Sequence, residues 1–218
     1  MPTKKTFCIS TNDALWKKLH SSLPSIEGRD ALLFAMLQGD RAEADKLASV
    51  YGAERLALWS RQAMETLIRL YLAGQLPFCQ LTAAAQASLA QPVEERAVCV
   101  GSPEGDPGSV SKGFTLMLLR ALGVAAMDLG KNVPAERFLQ MVRENHVSFV
   151  VCTLFTGAGL VTVGAIDRQA RQEGIRKSFQ LLAAGTAIPR EALRLCGADA
   201  LETDAAFVAE RVAQWLKK

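Results

Sequence analysis

Among side chains that act as nucleophiles, bases or metal ligands, this sequence holds two histidines, His20 and His146, and five scattered cysteines, Cys8, Cys79, Cys99, Cys152 and Cys196. No C-x-x-C pair occurs and no histidine stands beside a cysteine, so neither a zinc site nor a thioredoxin-type dithiol is supported. An odd cysteine count without a secretory signal predicts reduced thiols and a cytoplasmic protein. His146 falls at the end of a helical stretch, where a surface histidine is the ordinary reading. Neither histidine can be paired with a nucleophile, which argues against hydrolysis of the Ser-His type. The most ligand-like stretch is GSPEGDPGSVSKGFT at 101–115. Its glycines, serines and Lys112 suggest an anion site. It lacks both the G-x-x-x-x-G-K-[ST] frame and G-x-G-x-x-G, so a nucleotide site is not supported. Lys112 reads as a solvated helix residue.

The elements that must position this loop fall into two halves. Residues 1–92 show helical periodicity at 27–38, 41–51, 54–73 and 80–90, after a leading helix at 12–22, and predict an α-helical bundle. QPVEE at 91–95 reads as a linker and the expected hinge. Residues 93–218 alternate short β-rich runs (97–100, 124–129, 148–153, 180–184 and a weaker one near Ala200) with helical runs at 111–122, 134–145, 160–173, 189–196 and 204–216. Pro134 and Pro189 stand where a first helical turn accepts proline. Apolar strands alternating with helices predict a five-stranded parallel sheet covered on both faces. The fold class is therefore an N-terminal helical bundle followed by a Rossmann-like, flavodoxin-like α/β domain. Ligands of such sheets lie beyond the carboxyl ends of the strands. Three loops rich in small residues fall there, at 101–109, 154–159 and 184–189, and suit a bulky, mostly neutral ligand.

Charge and hydropathy exclude other partners. The 25 basic and 22 acidic residues leave +3, spread along the chain with no basic stripe of interleaved aromatics, which argues against nucleic acid. No apolar run approaches the roughly 20 residues of a membrane span.

The order of helical bundle, linker and five-stranded domain, over about 30–215, resembles the corrinoid proteins, the cobalamin-binding modules of methionine synthase and of corrinoid-dependent methyltransferases. In that family the first loop of the α/β domain carries D-x-H-x-x-G, and D-L-G, S-x-L and G-G end the next strands. In one ungapped register Asp106 takes the motif's Asp position, and Asp128-Leu129-Gly130 stands at D-L-G. Asn132 to Phe138, N-V-P-x-E-x-F, matches the family's segment directly after D-L-G. Thr153-Leu154-Phe155 stands at S-x-L and Ala184-Gly185 at G-G. LYLAGQLPFCQL at 70–81 resembles the segment that caps the corrin ring, with Tyr71 and Phe78 over its upper face. The resemblance thus implies a cofactor site of Asp106, Pro107, Gly108, Thr153, Phe155, Gly157, Ala184, Gly185, Thr186, Tyr71 and Phe78.

The departures matter as much. The family's histidine ligates cobalt from below; here that position is Gly108, and the motif glycine is Ser111. Glycine has no side chain, so no metal ligand is expected from the protein, and Gly108→His is expected to move the spectrum of bound cobalamin toward a histidine-ligated form. Phe155 for leucine adds bulk to the tail pocket, and Ala184 for glycine adds one methyl. The resemblance implies a corrinoid-binding protein without the lower-axial histidine: a methyl-group carrier subunit or a cobalamin handler or sensor. It would not be an enzyme alone, and would work with methyltransferase partner subunits. Two alternatives stay open. One is a regulatory or interaction subunit of the same fold that no longer binds cobalamin, its cleft filled by residues such as Phe155 and Phe78. The other is a protein using the cleft for a different tetrapyrrole or a nucleotide.

Overall fold

The structure, a computed structural model, describes residues 15–17, 19, 26–108, 110–185, 188–192 and 196–216, except for the side chains of 93–97 and 190. The bundle contains α1 (Glu27–Gln38), α2 (Arg41–Tyr51), α3 (Ala53–Leu72) and α4 (Phe78–Ala87). Gly39 closes α1, and the Asp40 carboxylate accepts the Glu43 N–H at 2.9 Å to start α2. The α/β half consists of β1 (Val93–Pro103), α5 (Val110–Ala121), β2 (Val124–Val133), α6 (Ala135–Asn145), β3 (Phe149–Thr153), α7 (Leu160–Gln172), β4 (Gln180–Ala184), β5 (Ala200–Glu202) and α8 (Ala205–Leu216). All pairings are parallel, in the order β2-β1-β3-β4-β5. This is the flavodoxin-like order, whose direction of winding reverses between β1 and β3.

Period-two alternation along the strands assigns each residue to one of two cores. Val98, Val100, Phe149, Val151 and Leu182 face α5, α8 and the bundle, in a single cluster that also takes in Leu67 of α3, Leu81 of α4 and Val212 of α8. Cys99, Val150, Cys152, Leu181 and Ala183 face α6 and α7, together with Phe138, Leu139 and Ile166. The bundle therefore shares its core with one face of the sheet: α3 packs on α8 and α5, and α4 on α5. Burial pushes the Cys99 thiol up to about 12. Cys152 is raised by burial first and by Cys99 and Cys196 second, so these thiols stay protonated and inert at neutral pH.

Several boundaries differ from the sequence reading. Strand β1 begins at Val93, so the last three residues of QPVEE belong to the sheet rather than to a linker, and Gln91 lies against α3, its carbonyl 3.5 Å from the Arg61 guanidinium. Strands β1 and β2 also run further toward the ligand edge, through Pro103 and Val133, because the pair keeps its register by irregular shifts at Gly101 and Pro103. Gly101 permits this: a side chain there would meet the Phe138 ring, 2.8 Å from its Cβ position. A 3-10 turn at Arg190–Ala192 lies within the span read as helix 189–196. His146 ends α6 in a left-handed conformation, φ 50°, at the amino end of β3 and so away from the ligand loops. His20, Cys8 and Thr186 lie outside the described residues.

Candidate functional site

Because β1 and β3 are neighbours whose outgoing connections leave toward opposite sides, their loops diverge and open a crevice. Asp106 ties the two loops together. Its carboxylate, only 4% exposed, accepts the N–H groups of Phe155 at 2.9 Å, Thr156 at 2.8 Å and Gly108 at 2.8 Å, and the Thr156 hydroxyl at 3.3 Å. A second tether comes from β2: the Asn132 side chain accepts the Gly105 N–H at 3.0 Å, and the Glu104 N–H reaches the Val133 carbonyl at 2.9 Å.

Between these loops lies a cavity of about 460 Å³, within the range of roughly 300–1,000 Å³ typical of small-molecule sites. Pro107, Gly108, Val110, Ser111, Phe114 and Thr115 form one wall. Leu154, Phe155, Ala184 and Gly185 form the second, and Thr203, Asp204 and Ala205 the third. The lining is mostly apolar. Its polar members are few, and one, Thr115, is 1% exposed with a hydroxyl that has no hydrogen-bond partner.

Two glycines set the shape of these walls. A Cβ on Gly185 would lie 2.4 Å from the Leu154 carbonyl oxygen, so only glycine lets β4 leave the sheet this close to β3. A Cβ on Gly108 would lie 2.4 Å from Phe155 Cβ and 2.9 Å from Asp106 Oδ1. A Cβ at 108 thus meets the facing loop. Gly108→His therefore requires the two loops to part before an imidazole fits at 108. Phe155 is nevertheless 66% exposed, its ring at the rim rather than inside the cavity.

Of the residues implied by the resemblance, Pro107, Gly108, Phe155, Ala184 and Gly185 line the cavity, and Asp106 fixes the loops behind it. Thr153 does not reach it. Its side chain is buried, donating to the Gly101 carbonyl at 3.3 Å and lying 3.2 Å from the Ser102 hydroxyl. Gly157 lies in a short exposed 3-10 turn off the wall. Tyr71 and Phe78, both half-buried, pack against the shared core and meet the site indirectly. Phe78 stands edge-on to Phe114 with ring centres 4.9 Å apart, and 5.6 Å from Tyr71. The Tyr71 hydroxyl donates to Asp204 Oδ2 at 2.8 Å, while Asp204 Oδ1 caps α8 by accepting the Ala206 N–H at 2.7 Å. Burial, with that hydrogen bond second, raises the Tyr71 pKa. Phe114, Thr115 and Asp204 are among the wall residues that motif reading passes over; the position of Asp204 just before an amphipathic helix was the available signal for one of them.

Lys112 is not solvated. It is 8% exposed, and its ammonium contacts both oxygens of Asp128 at 2.5 and 2.6 Å, joining α5 to the end of β2. A lysine this deep requires such a partner. Burial alone would raise the Asp128 carboxyl, but Lys112, the Gly130 N–H and the charge of Arg120 outweigh it and hold it below its ordinary 3.8. A carboxyl lowered in the folded state stabilises fully above its unfolded pKa and ceases to do so as pH falls through the folded value. The melting temperature is accordingly expected to fall below about pH 4. The gap between the wild type and Asp128→Asn should close over the same interval in a pH series of thermal melts. A constant gap down to strong acid would mean that the bridge contributes nothing.

No protein-family model matches the sequence. Trimethylamine corrinoid protein 1 of Methanosarcina acetivorans is 25% identical over 115 residues, 53% of each chain. The chain spans about half the length of the curated relatives it matches. A cobalamin-binding protein of Desulfitobacterium hafniense superposes with a TM-score of 0.69 at 19% identity, over 88% of this chain and 99% of that one. A chain of the methanol:cobalamin methyltransferase complex of Methanosarcina barkeri superposes with a TM-score of 0.75 at 20% identity, over 99% of this chain and 93% of that one. Among the described residues no helix is long and apolar enough to cross a membrane. In sequence over half its length, and in fold over nearly all of it, the chain is similar to the cobalamin-binding corrinoid proteins.

Proposed function

We propose that the chain is a corrinoid-binding subunit that holds its cofactor without a protein histidine, serving as a methyl-group carrier or as a cobalamin handler or sensor beside methyltransferase partners. The observation that carries this reading is the cavity itself. An apolar space of about 460 Å³ opens at the winding reversal of the sheet, on the loops that match the family's motifs. Its walls suit a flat aromatic group: Pro107, Phe114, Leu154 and Ala184 offer apolar faces. Had the cleft been given up for packing, Phe155 and Phe78 would fill it. Instead Phe155 stands at the rim and Phe78 lies behind Phe114.

A bound corrinoid would supply cobalt-centred methyl transfer, chemistry that belongs to the cofactor rather than to side chains. What the chain contributes is position and exclusion. Asp106 and Asn132 keep the loops at a fixed separation, and Gly185 keeps the floor open. Phe155 and Val110 give the rim an apolar surface, 66% and 72% exposed, against which a large macrocycle can lie. Gly108 has no side chain, so this loop would hold a bound corrinoid by shape and backbone alone, without supplying a side-chain ligand.

Reconstitution with hydroxocobalamin tests the reading. At micromolar protein, the cobalamin absorbance band is expected to travel with the protein through gel filtration. Elution of all corrinoid with the small-molecule fraction would overturn it.

A further inference from the structure

Two halves of a chain move against each other by default when an exposed segment with few contacts joins them. The passage from α4 to β1 is built in the opposite way. Ser88 ends α4 and is 8% exposed. Its hydroxyl donates to the Ala121 carbonyl at the end of α5, at 3.0 Å, and accepts the Ala90 N–H at 3.3 Å. Its carbonyl accepts the guanidinium of Arg41, the first residue of α2, at 2.9 Å. The next residue, Leu89, donates its N–H to the hydroxyl of Ser60, a fully buried residue of α3, at 3.1 Å, and its side chain enters the shared core. The Gln91 carbonyl lies so close to the turn after α5 that a Cβ on Gly123 would stand 2.5 Å from it. Two buried serines thus serve main-chain groups that neither helix nor strand pairing satisfies, and they draw α2, α3 and α5 onto one short segment.

The far end of the same interface is pinned as well. Tyr71 bonds Asp204 and Phe78 meets Phe114 at the ligand edge, whereas Ala121 lies just before β2 begins, at the amino edge. A body held at both ends of a shared core cannot rock about either. We propose that Ser60 and Ser88 form a lock that makes bundle and sheet one rigid body. The bundle does not swing on residues 91–95, the segment expected as the hinge, and leaves the sheet only when the whole chain unfolds. Whatever enters the cavity then passes between the loops after β1, β3 and β5, by the rim at Val110 and Phe155, with the bundle in place. This holds for any ligand of the cavity and does not rest on the corrinoid reading.

Native-state hydrogen exchange on the unliganded wild type and on Ser88→Ala tests the lock, at rising guanidinium concentrations below the unfolding transition. The Leu89 amide reports on the joint, and the Val151 amide, at the centre of β3, reports on global unfolding. In the wild type the two amides are expected to exchange within about tenfold of each other, corrected for intrinsic rates, and to respond alike to denaturant. In Ser88→Ala, which leaves the Leu89 bond to Ser60 untouched, Leu89 should exchange more than about tenfold faster than Val151 of the same variant, with a weaker denaturant dependence. Comparing amides within one protein removes any general loss of stability. Wild-type Leu89 exchanging beyond about tenfold faster than Val151, with little response to denaturant, would mean that the joint opens alone and would overturn the proposal. Matched amides in Ser88→Ala would overturn the role of Ser88. Should that variant not fold, the wild-type comparison decides.

Discussion

Asp106→Ala is expected to lower the unfolding free energy by about 3 kcal/mol, which for a chain of this size is a fall of roughly 6–12 °C in melting temperature. The carboxylate accepts four donors, three of them the backbone N–H groups of Gly108, Phe155 and Thr156. Removing it leaves each without its acceptor, at about 1–3 kcal/mol for a fully buried donor. Phe155 is largely exposed, so water takes over part of the loss and the total falls well short of the full sum. Asp106→Asn keeps one acceptor oxygen but turns an amide toward the remaining N–H groups, and should lose about half as much. Denaturant unfolding of the three proteins checks the order. A loss below about 1 kcal/mol for alanine would mean that the β1 and β3 loops are held mainly by something other than this carboxylate.

Gly108→His should fail to produce a histidine-ligated cobalamin spectrum and should cost about 3 kcal/mol, the upper end for overpacking, with part of the Asp106 clamp broken as well. The conflict is at Cβ, 2.4 Å from Phe155 Cβ, so rotating either side chain brings no relief. Shortening Phe155 does not help either, because every residue but glycine carries that atom. The double variant Gly108→His with Phe155→Gly is therefore the one expected to recover stability and to admit the imidazole. Visible spectra of the cobalamin-loaded proteins separate the cases. A histidine-ligated spectrum from the single variant at wild-type stability would show that the two loops part freely.

The motifs pointed to the loops around the cavity, while the residues that line it came together through contacts between distant segments. Alternating apolar runs revealed the five strands and the loops at their carboxyl ends, because period two and period 3.6 are local signals. Strand ends were misjudged where Gly101, Ser102 and Pro103 look like loop residues; their pairing with β2 depends on register shifts that composition does not encode. Lys112 resembled any helix lysine until Asp128, 16 residues later, came within 2.5 Å. Gly108 was legible as a departure from the motif of the resemblance, but the closeness of Phe155 to its Cβ position was not. Thr115 carries no motif at all. An unmatched hydroxyl becomes visible only once every neighbour has a position.

The seam between bundle and sheet bears on how the chain is made. Tyr71 and Asp204 are 133 residues apart, and α3 packs on α8. On a ribosome adding about 5–20 residues per second, roughly 7–27 s separate the appearance of one partner from the other. Through that interval the bundle carries an apolar stripe whose cover has not yet been synthesised. The nascent chain is thus a natural client for a holding chaperone, and synonymous codon changes that slow translation between α3 and α8 would lengthen its exposure.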